Sequence, residues 1–162
     1  LTASRKVLAL EELPARLAAP RAAGRSVALA NGLFDILHVG HLRYLQEARA
    51  QADLLVVGVN SDASARRLKG PSRPVNPQDE RAELLAGLAC VDLVTIFDGP
   101  TAEELLRAVR PDVHCKGTDY TADTVPEAAL ARELGIRVAI VGDSKRHSTR
   151  DIIRRLQAGD QG

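Results

Sequence analysis

Residues 26–60 read "SVALANGLFDILHVGHLRYLQEARAQADLLVVGVN". Two short runs, "SVALA" (26–30) and "DLLVVGVN" (53–60), are apolar without alternation, the pattern of strands covered on both faces. Between them "HLRYLQEARAQ" (41–51) has helical spacing and puts Leu42, Leu45 and Ala48 on its inner face. Strand, loop, helix, strand in that order predicts a parallel βαβ unit.

The same alternation continues in both directions. Upstream, "KVLALEELPARLAA" (6–19) carries helical spacing at Val7, Leu10, Leu13 and Leu17, with Pro14 expected to distort it. Downstream, "SDASARRLKG" (61–70) reads as a short helix capped by Ser61 or Asp62, and "PSRPVNP" (71–77) as a proline-punctuated loop. "PQDERAELLAGLACV" (77–91) is a helix opening at a proline, "DLVTIF" (92–97) a strand and "TAEELLRAV" (101–109) a helix. "PDVHCKG" (111–117) holds a further strand, "DYTADTVPE" (119–127) a loop, and "PEAALARELG" (126–135) a helix ended by Gly135. "RVAIVG" (137–142) is the last strand and "STRDIIRRLQ" (148–157) the last helix, with Ser148 as N-cap. The expectation is an α/β fold with an open parallel five-stranded sheet, Rossmann-like, and helices on both faces. One domain spans 1–162, its core 26–157, and the polar tail "AGDQG" frays.

Composition agrees with this picture. The chain has 162 residues, 45% of them hydrophobic and 27% charged, with a net charge of +1. No broad basic field argues for nucleic acid or an anionic membrane surface. With two Phe, two Tyr and no Trp, the core must be aliphatic. No apolar run approaches the ~18 residues of a membrane span, and the first residues do not form a signal peptide. The cytoplasm is the expected compartment. Cys90 and Cys115 have no metal-ligand spacing and read as buried, inert thiols.

In an open parallel sheet ligands bind beyond the carboxyl ends of the strands. The residues expected there are polar or cationic after nearly every strand: "NGLFDILHVGH", "NSD" with "LKGPSR", "KGTDY", and "GDSKRHST". The first loop is neither G-x-G-x-x-G nor G-x-x-x-x-G-K-S. It nonetheless brings His38 and His41 onto one face of the entry to a helix, with Gly40 between them and Gly32 just upstream. Three readings compete: a helix cap with a packed core histidine, a metal pair, or an anion site. No carboxylate or cysteine stands at a spacing that completes a metal site, so no metal-ligating residue is assigned. A helix N-terminus with two imidazole donors suits phosphate.

"NGLFDILHVGH" also resembles the (H/T)-x-G-H signature of the nucleotidyltransferase superfamily related to class I aminoacyl-tRNA synthetases. "VVGVNSDASARRLKGPSRPVNPQDERAELLAGLACVD", "PDVHCKGTDY" and "HST" are similar to the adenylyltransferases of ADP-heptose synthesis. That family often forms the C-terminal half of a bifunctional kinase/adenylyltransferase. The resemblance implies transfer of AMP from ATP to D-glycero-D-manno-heptose 1-phosphate, with Mg²⁺ accompanying ATP. It implies catalytic roles for His38, His41 and Lys69. Nucleotide binding would fall to Asn31, Gly32, Leu33, Phe34, Asp35, Gly40, Asn60, Asp62, Arg81, Lys116, Gly117, Ser148 and Thr149. Arg73, Asp119, Tyr120 and Glu127 would meet the sugar phosphate. A homodimer and a separate sugar kinase also follow from the resemblance.

Three departures stand out. Arg150 follows "ST" where the family continues with another hydroxyl residue. Thr118 replaces a glycine, which puts close backbone approach at "KGTDY" in question. "SKRHST" is more basic than in the family, with His147 as a further candidate contact. The rival activities are cytidylyl transfer to glycerol 3-phosphate or a related alcohol phosphate, and a non-catalytic nucleotide-binding sensor. Retention of His38, His41, Lys69 and Arg81 argues against the sensor.

Overall fold

The computed structural model describes residues 3–143 and 149–159. Five parallel strands form one sheet in the order β3-β2-β1-β4-β5: β1 is Val27–Gly32, β2 Leu54–Asn60, β3 Leu93–Phe97, β4 Val113–Lys116 and β5 Arg137–Ile140. The chain moves outward from β1 to β2 and β3, then returns to place β4 on the other side of β1. This reversal opens a crevice between the carboxyl ends of β1 and β4, the topological switch point where such sheets bind ligands.

Alternate strand residues feed two separate cores. Ala28 and Ala30 of β1 join Leu55, Val57, Val59 and Cys115 under α2 (Val39–Arg49) and α4 (Gln78–Ala86). Val27 and Leu29 face the other way and pack with α1 (Leu13–Ala22), α5 (Glu103–Val109) and α6 (Ala128–Glu133). β2 is buried along its whole length, as its unbroken apolar run requires. Gly58 lets α5 approach, since a Cβ there would lie 2.3 Å from Leu105 Cδ1.

The helix ends follow local chemistry. Ser61 caps α3 (Asp62–Lys69) by accepting the Ser64 amide at 3.0 Å, and Pro77 precedes the first turn of α4. α6 is followed by Gly135 at φ +70°. α7 spans Thr149–Gly159, and the expected cap at Ser148 lies outside the described residues.

Two expectations need correction. Pro14 does not distort a helix over 6–19; a 3-10 turn at Leu10–Glu12 leads into α1, which starts at Leu13 with Pro14 in its first turn, where no amide donor is needed. Leu42 is 37% exposed, so the inner face of α2 is made by Leu45 and Ala48. Ahead of α1, the chain adds itself to the sheet edge: Val7 bridges Val94, and Lys6 Nζ donates to the Val91 carbonyl at 2.7 Å. Among the described residues no helix is long and apolar enough to cross a membrane.

Candidate active site

A cleft of about 760 Å³ opens over the switch point and receives residues from the ends of all five strands. β1 and its loop contribute Asn31, Gly32, Leu33, Phe34 and Asp35, and α2 contributes His38, Gly40 and His41. Asn60 ends β2, while Lys69 and Arg73 reach in from the end of α3 and the proline loop. Lys116, Gly117, Asp119 and Tyr120 follow β4, with Glu127 behind them. The first loop, Lys69, the "KGTDY" segment and Glu127 are thus brought together as the sequence predicts.

His38 occupies the N-cap position of α2 but makes no side-chain capping hydrogen bond, which removes the capping reading. Its ring stacks on His41 with centroids 3.8 Å apart and planes 23° apart. Phe34 closes against the edge of His41 at 5.3 Å. Burial, reinforced by the neighbouring His38, pushes the His41 imidazole down to about 4. His41 Nδ1 is buried without a hydrogen-bond partner among the described residues. The Val39 and Gly40 amides at the start of α2 lack intrahelical acceptors by helix geometry, whereas the His41 amide already donates to the His38 carbonyl at 2.9 Å. Two stacked imidazoles at the positive end of a helix form a site that gains by receiving an anion.

The loop holding this pair is strained and braced. Phe34 sits at φ 49°, a left-handed conformation that costs a non-glycine residue energy, and its ring covers Gly32, where a Cβ would lie 3.2 Å away. The buried Asp35 carboxylate accepts from Arg73 Nε at 2.5 Å, the Val75 amide at 2.8 Å and the Asn76 amide at 3.0 Å. Asp35 therefore ties the proline loop to the first loop, and Arg73 enters the cleft as its ion-pair partner rather than as a solvated cation.

Arg81 and Asp62 lie behind the cleft wall, not in it. The Arg81 guanidinium is fully buried, and it donates to the carbonyls of Leu33 at 2.5 Å and Asn76 at 2.9 Å and to Asp62 at 2.8 Å. Each of its three nitrogens donates within the protein and the side chain is fully buried outside the cleft lining, so its expected contact with nucleotide gives way to bracing. The pairing depends on residues distant in sequence, which spacing on α4 alone could not reveal.

On the opposite face of the sheet, Lys116 and Glu127 form a buried ion pair at 3.2 Å. Beneath Asn31, His114 Nε2 lies 3.1 Å from Asn31 Oδ1, and burial, followed by the charge of Lys116, lowers the pKa of His114. Thr118, whose place in the loop departs from the glycine of the resembling family, donates its hydroxyl to the Asp143 carbonyl at 3.0 Å and joins the β4 and β5 ends. Phe97, Pro100, Thr101, Val141–Asp143 and Arg154 also line the cleft. Of these the sequence offered only Gly142 and Asp143, as the start of "GDSKRHST" after the last strand: "FDGPT" carries no motif, and nothing distinguishes Arg154 from its neighbour Arg155. Ser148 and His147 lie outside the described residues; Thr149 opens α7. Cys115 is buried and its thiol is pushed up to about 12 by burial, which makes it inert.

This sheet order, with a histidine pair on the first helix after β1, defines a class. The sequence matches the cytidylyltransferase-like family over residues 29–155, and the chain belongs to that family of nucleotidyltransferases. Bifunctional protein HldE of Syntrophotalea carbinolica is 48% identical over 151 residues, which cover 93% of this chain and 31% of that protein. Bifunctional protein HldE of Pseudomonas fluorescens is 46% identical, over 96% of this chain and 33% of that protein. The chain thus spans about a third of the length of these curated relatives. Among solved structures, the lipopolysaccharide core biosynthesis protein from Thermoplasma volcanium aligns with a TM-score of 0.64 and 34% identity, over 76% of this chain and 100% of that one.

Proposed function

We propose that the chain is a single nucleotidyltransferase domain, cytoplasmic, that transfers AMP from ATP to D-glycero-D-manno-heptose 1-phosphate. The products are ADP-heptose and pyrophosphate. The observation that carries this reading is the stacked His38–His41 pair at the N-terminus of α2, inside a cleft at the switch point. The identity to the bifunctional HldE proteins supports the choice of acceptor. A separate sugar kinase acts earlier in the route, by way of a heptose 1,7-bisphosphate, and the working form is a homodimer.

The chemistry is an in-line displacement. An oxygen of the sugar phosphate forms a bond to the α-phosphorus as the bond to the bridging oxygen breaks, and the electron pair leaves with pyrophosphate. Such a reaction needs positioning and charge stabilisation rather than a protein nucleophile. His38, His41 and Lys69 donate to phosphate oxygens as negative charge builds, while the Val39 and Gly40 amides of α2 receive the triphosphate. Among the described residues no group of three or more His, Cys, Asp or Glu is placed to hold a metal. Mg²⁺ would come with the triphosphate, held by its oxygens and water, and would neutralise charge there.

The deciding assay is pyrophosphate release with ATP, CTP, GTP or UTP, Mg²⁺ and heptose 1-phosphate, in the wild type and His41→Ala. Release with ATP and heptose 1-phosphate, lost in the variant, is the expected result. Release only with CTP and an alcohol phosphate such as glycerol 3-phosphate would overturn the acceptor and the base. Tight nucleotide binding without turnover would make the protein a nucleotide sensor.

A further inference from the structure

Nucleophile and leaving group must lie on opposite sides of the α-phosphorus in an in-line displacement, and the cleft has two chemically distinct sides. Its α2 side holds the histidines, the helix N-terminus and the core shared with α4. Lys116 alternates with the inward Cys115 on β4 and so enters the crevice from the α5/α6 side. With pyrophosphate leaving toward α2, the incoming phosphate must approach from the side of Lys116.

The Lys116 ammonium is held before any ligand arrives. Glu127, nearly fully buried at the head of α6, stands 3.2 Å from Lys116 Nζ. Its other oxygen accepts the Ala102 amide at 2.7 Å, which anchors the carboxylate to the start of α5. The Tyr120 ring lies over the ammonium at 5.3 Å from its centroid. Burial raises the Glu127 pKa, but the Lys116 charge, the Ala102 amide and His114 pull it down further, so the carboxyl stays ionised. Glu127 Oε2 makes no hydrogen bond among the described residues, and Lys116 itself is about 6% exposed. The ion pair and the ring take up two sides of the ammonium of Lys116, which lines the cleft, and its three donors leave it able to meet one further oxygen there. A buried ion pair of this kind is weak evidence for stability and finds a better explanation in orientation.

We propose that Lys116 binds the phosphate of the acceptor, the attacking group, and that Glu127 is the positioning residue that aims it. This rests on the nucleotidyl-transfer reading above. It removes Lys116 from the nucleotide-binding set implied by the resemblance, and it removes Glu127 from direct contact with the sugar.

The test uses the purified full chain with Mg²⁺, ATP and D-glycero-D-manno-heptose 1-phosphate, comparing wild type, Glu127→Gln, Lys116→Ala and Lys116→Arg. Glutamine keeps an oxygen for the Ala102 amide and loses only the charge that orients Lys116. The acceptor KM should rise about tenfold in Glu127→Gln, while the KM for ATP stays within about twofold. Lys116→Ala should lose more on the same parameter, and Lys116→Arg should recover part of it. A parallel rise in both KM values, or no change in either, overturns the assignment. Should Glu127→Gln melt early, the two Lys116 variants decide by the same KM split. If the wild type itself releases no pyrophosphate with any sugar 1-phosphate, the reading of the reaction falls and this assignment with it. Turnover by the wild type with an unmoved acceptor KM in the variants removes this assignment alone.

Discussion

Burial holds the His41 imidazole near a pKa of about 4, and the stacked ring of His38 adds to the effect. The ordinary value is 6.5, so as pH falls the unfolded chain takes up the proton first. Stability tied to neutral His41 is therefore full above about pH 6.5 and is lost as pH falls toward 4. His114, lowered by burial and then by Lys116, acts in the same direction. Urea midpoints should drop between pH 7 and pH 5, and His41→Gln should flatten that slope without abolishing it. A midpoint independent of pH over this range would refute the buried neutral imidazole. A phosphate placed against the pair favours the protonated ring, so an NMR titration of His41 should show its pKa rising when pyrophosphate is added. The spacing of His38 and His41 was legible in the sequence; their stacking was not, because it depends on where Phe34 turns its ring.

At the scale of elements, Arg81 joins three of them. It sits on α4, holds the Leu33 carbonyl of the loop after β1, the Asn76 carbonyl of the proline loop and Asp62 at the start of α3. Replacing it by methionine leaves two carbonyls and a carboxylate without their partner, at a cost of about 3 kcal/mol in unfolding free energy. Because those elements carry His38, Arg73 and Lys69, kcat/KM should fall about 100-fold even though Arg81 lies outside the cleft. Urea denaturation together with steady-state kinetics checks both, and a stable variant with full activity would refute the brace. The elements themselves were legible wherever two-sided burial imposes an unbroken apolar run, as in "DLLVVGVN". Leu42 misled because helical spacing puts it beside Leu45 and Ala48 without showing that the core ends before it. The bridge from Val7 to Val94 was illegible for another reason: a short edge pairing imposes no period on the sequence.

For the molecule as a whole, the cleft is the one place where residues following all five strands meet among the described residues. A ligand bound there contacts the ends of the entire sheet and, by linkage, stabilises the folded state as a unit. The strand order that creates this meeting was only partly legible, since alternating strands and helices imply a parallel sheet but not that β4 returns beside β1. That return is what brings Lys116 within the same cleft as His38 and His41, residues more than seventy positions away. ATP with Mg²⁺ at a hundred times its dissociation constant should add about 2.7 kcal/mol, a rise in Tm of roughly 5–10 °C for a chain of this size. At the same ATP concentration His41→Ala should show a smaller rise, because it removes a donor on the triphosphate side. Glu127→Gln should keep the full rise, because the pair it breaks stands on the acceptor side. Differential scanning calorimetry separates these outcomes. An unchanged Tm in the wild type at millimolar ATP would contradict a nucleotide site, whereas equal losses in both variants would contradict the division of the cleft into two sides.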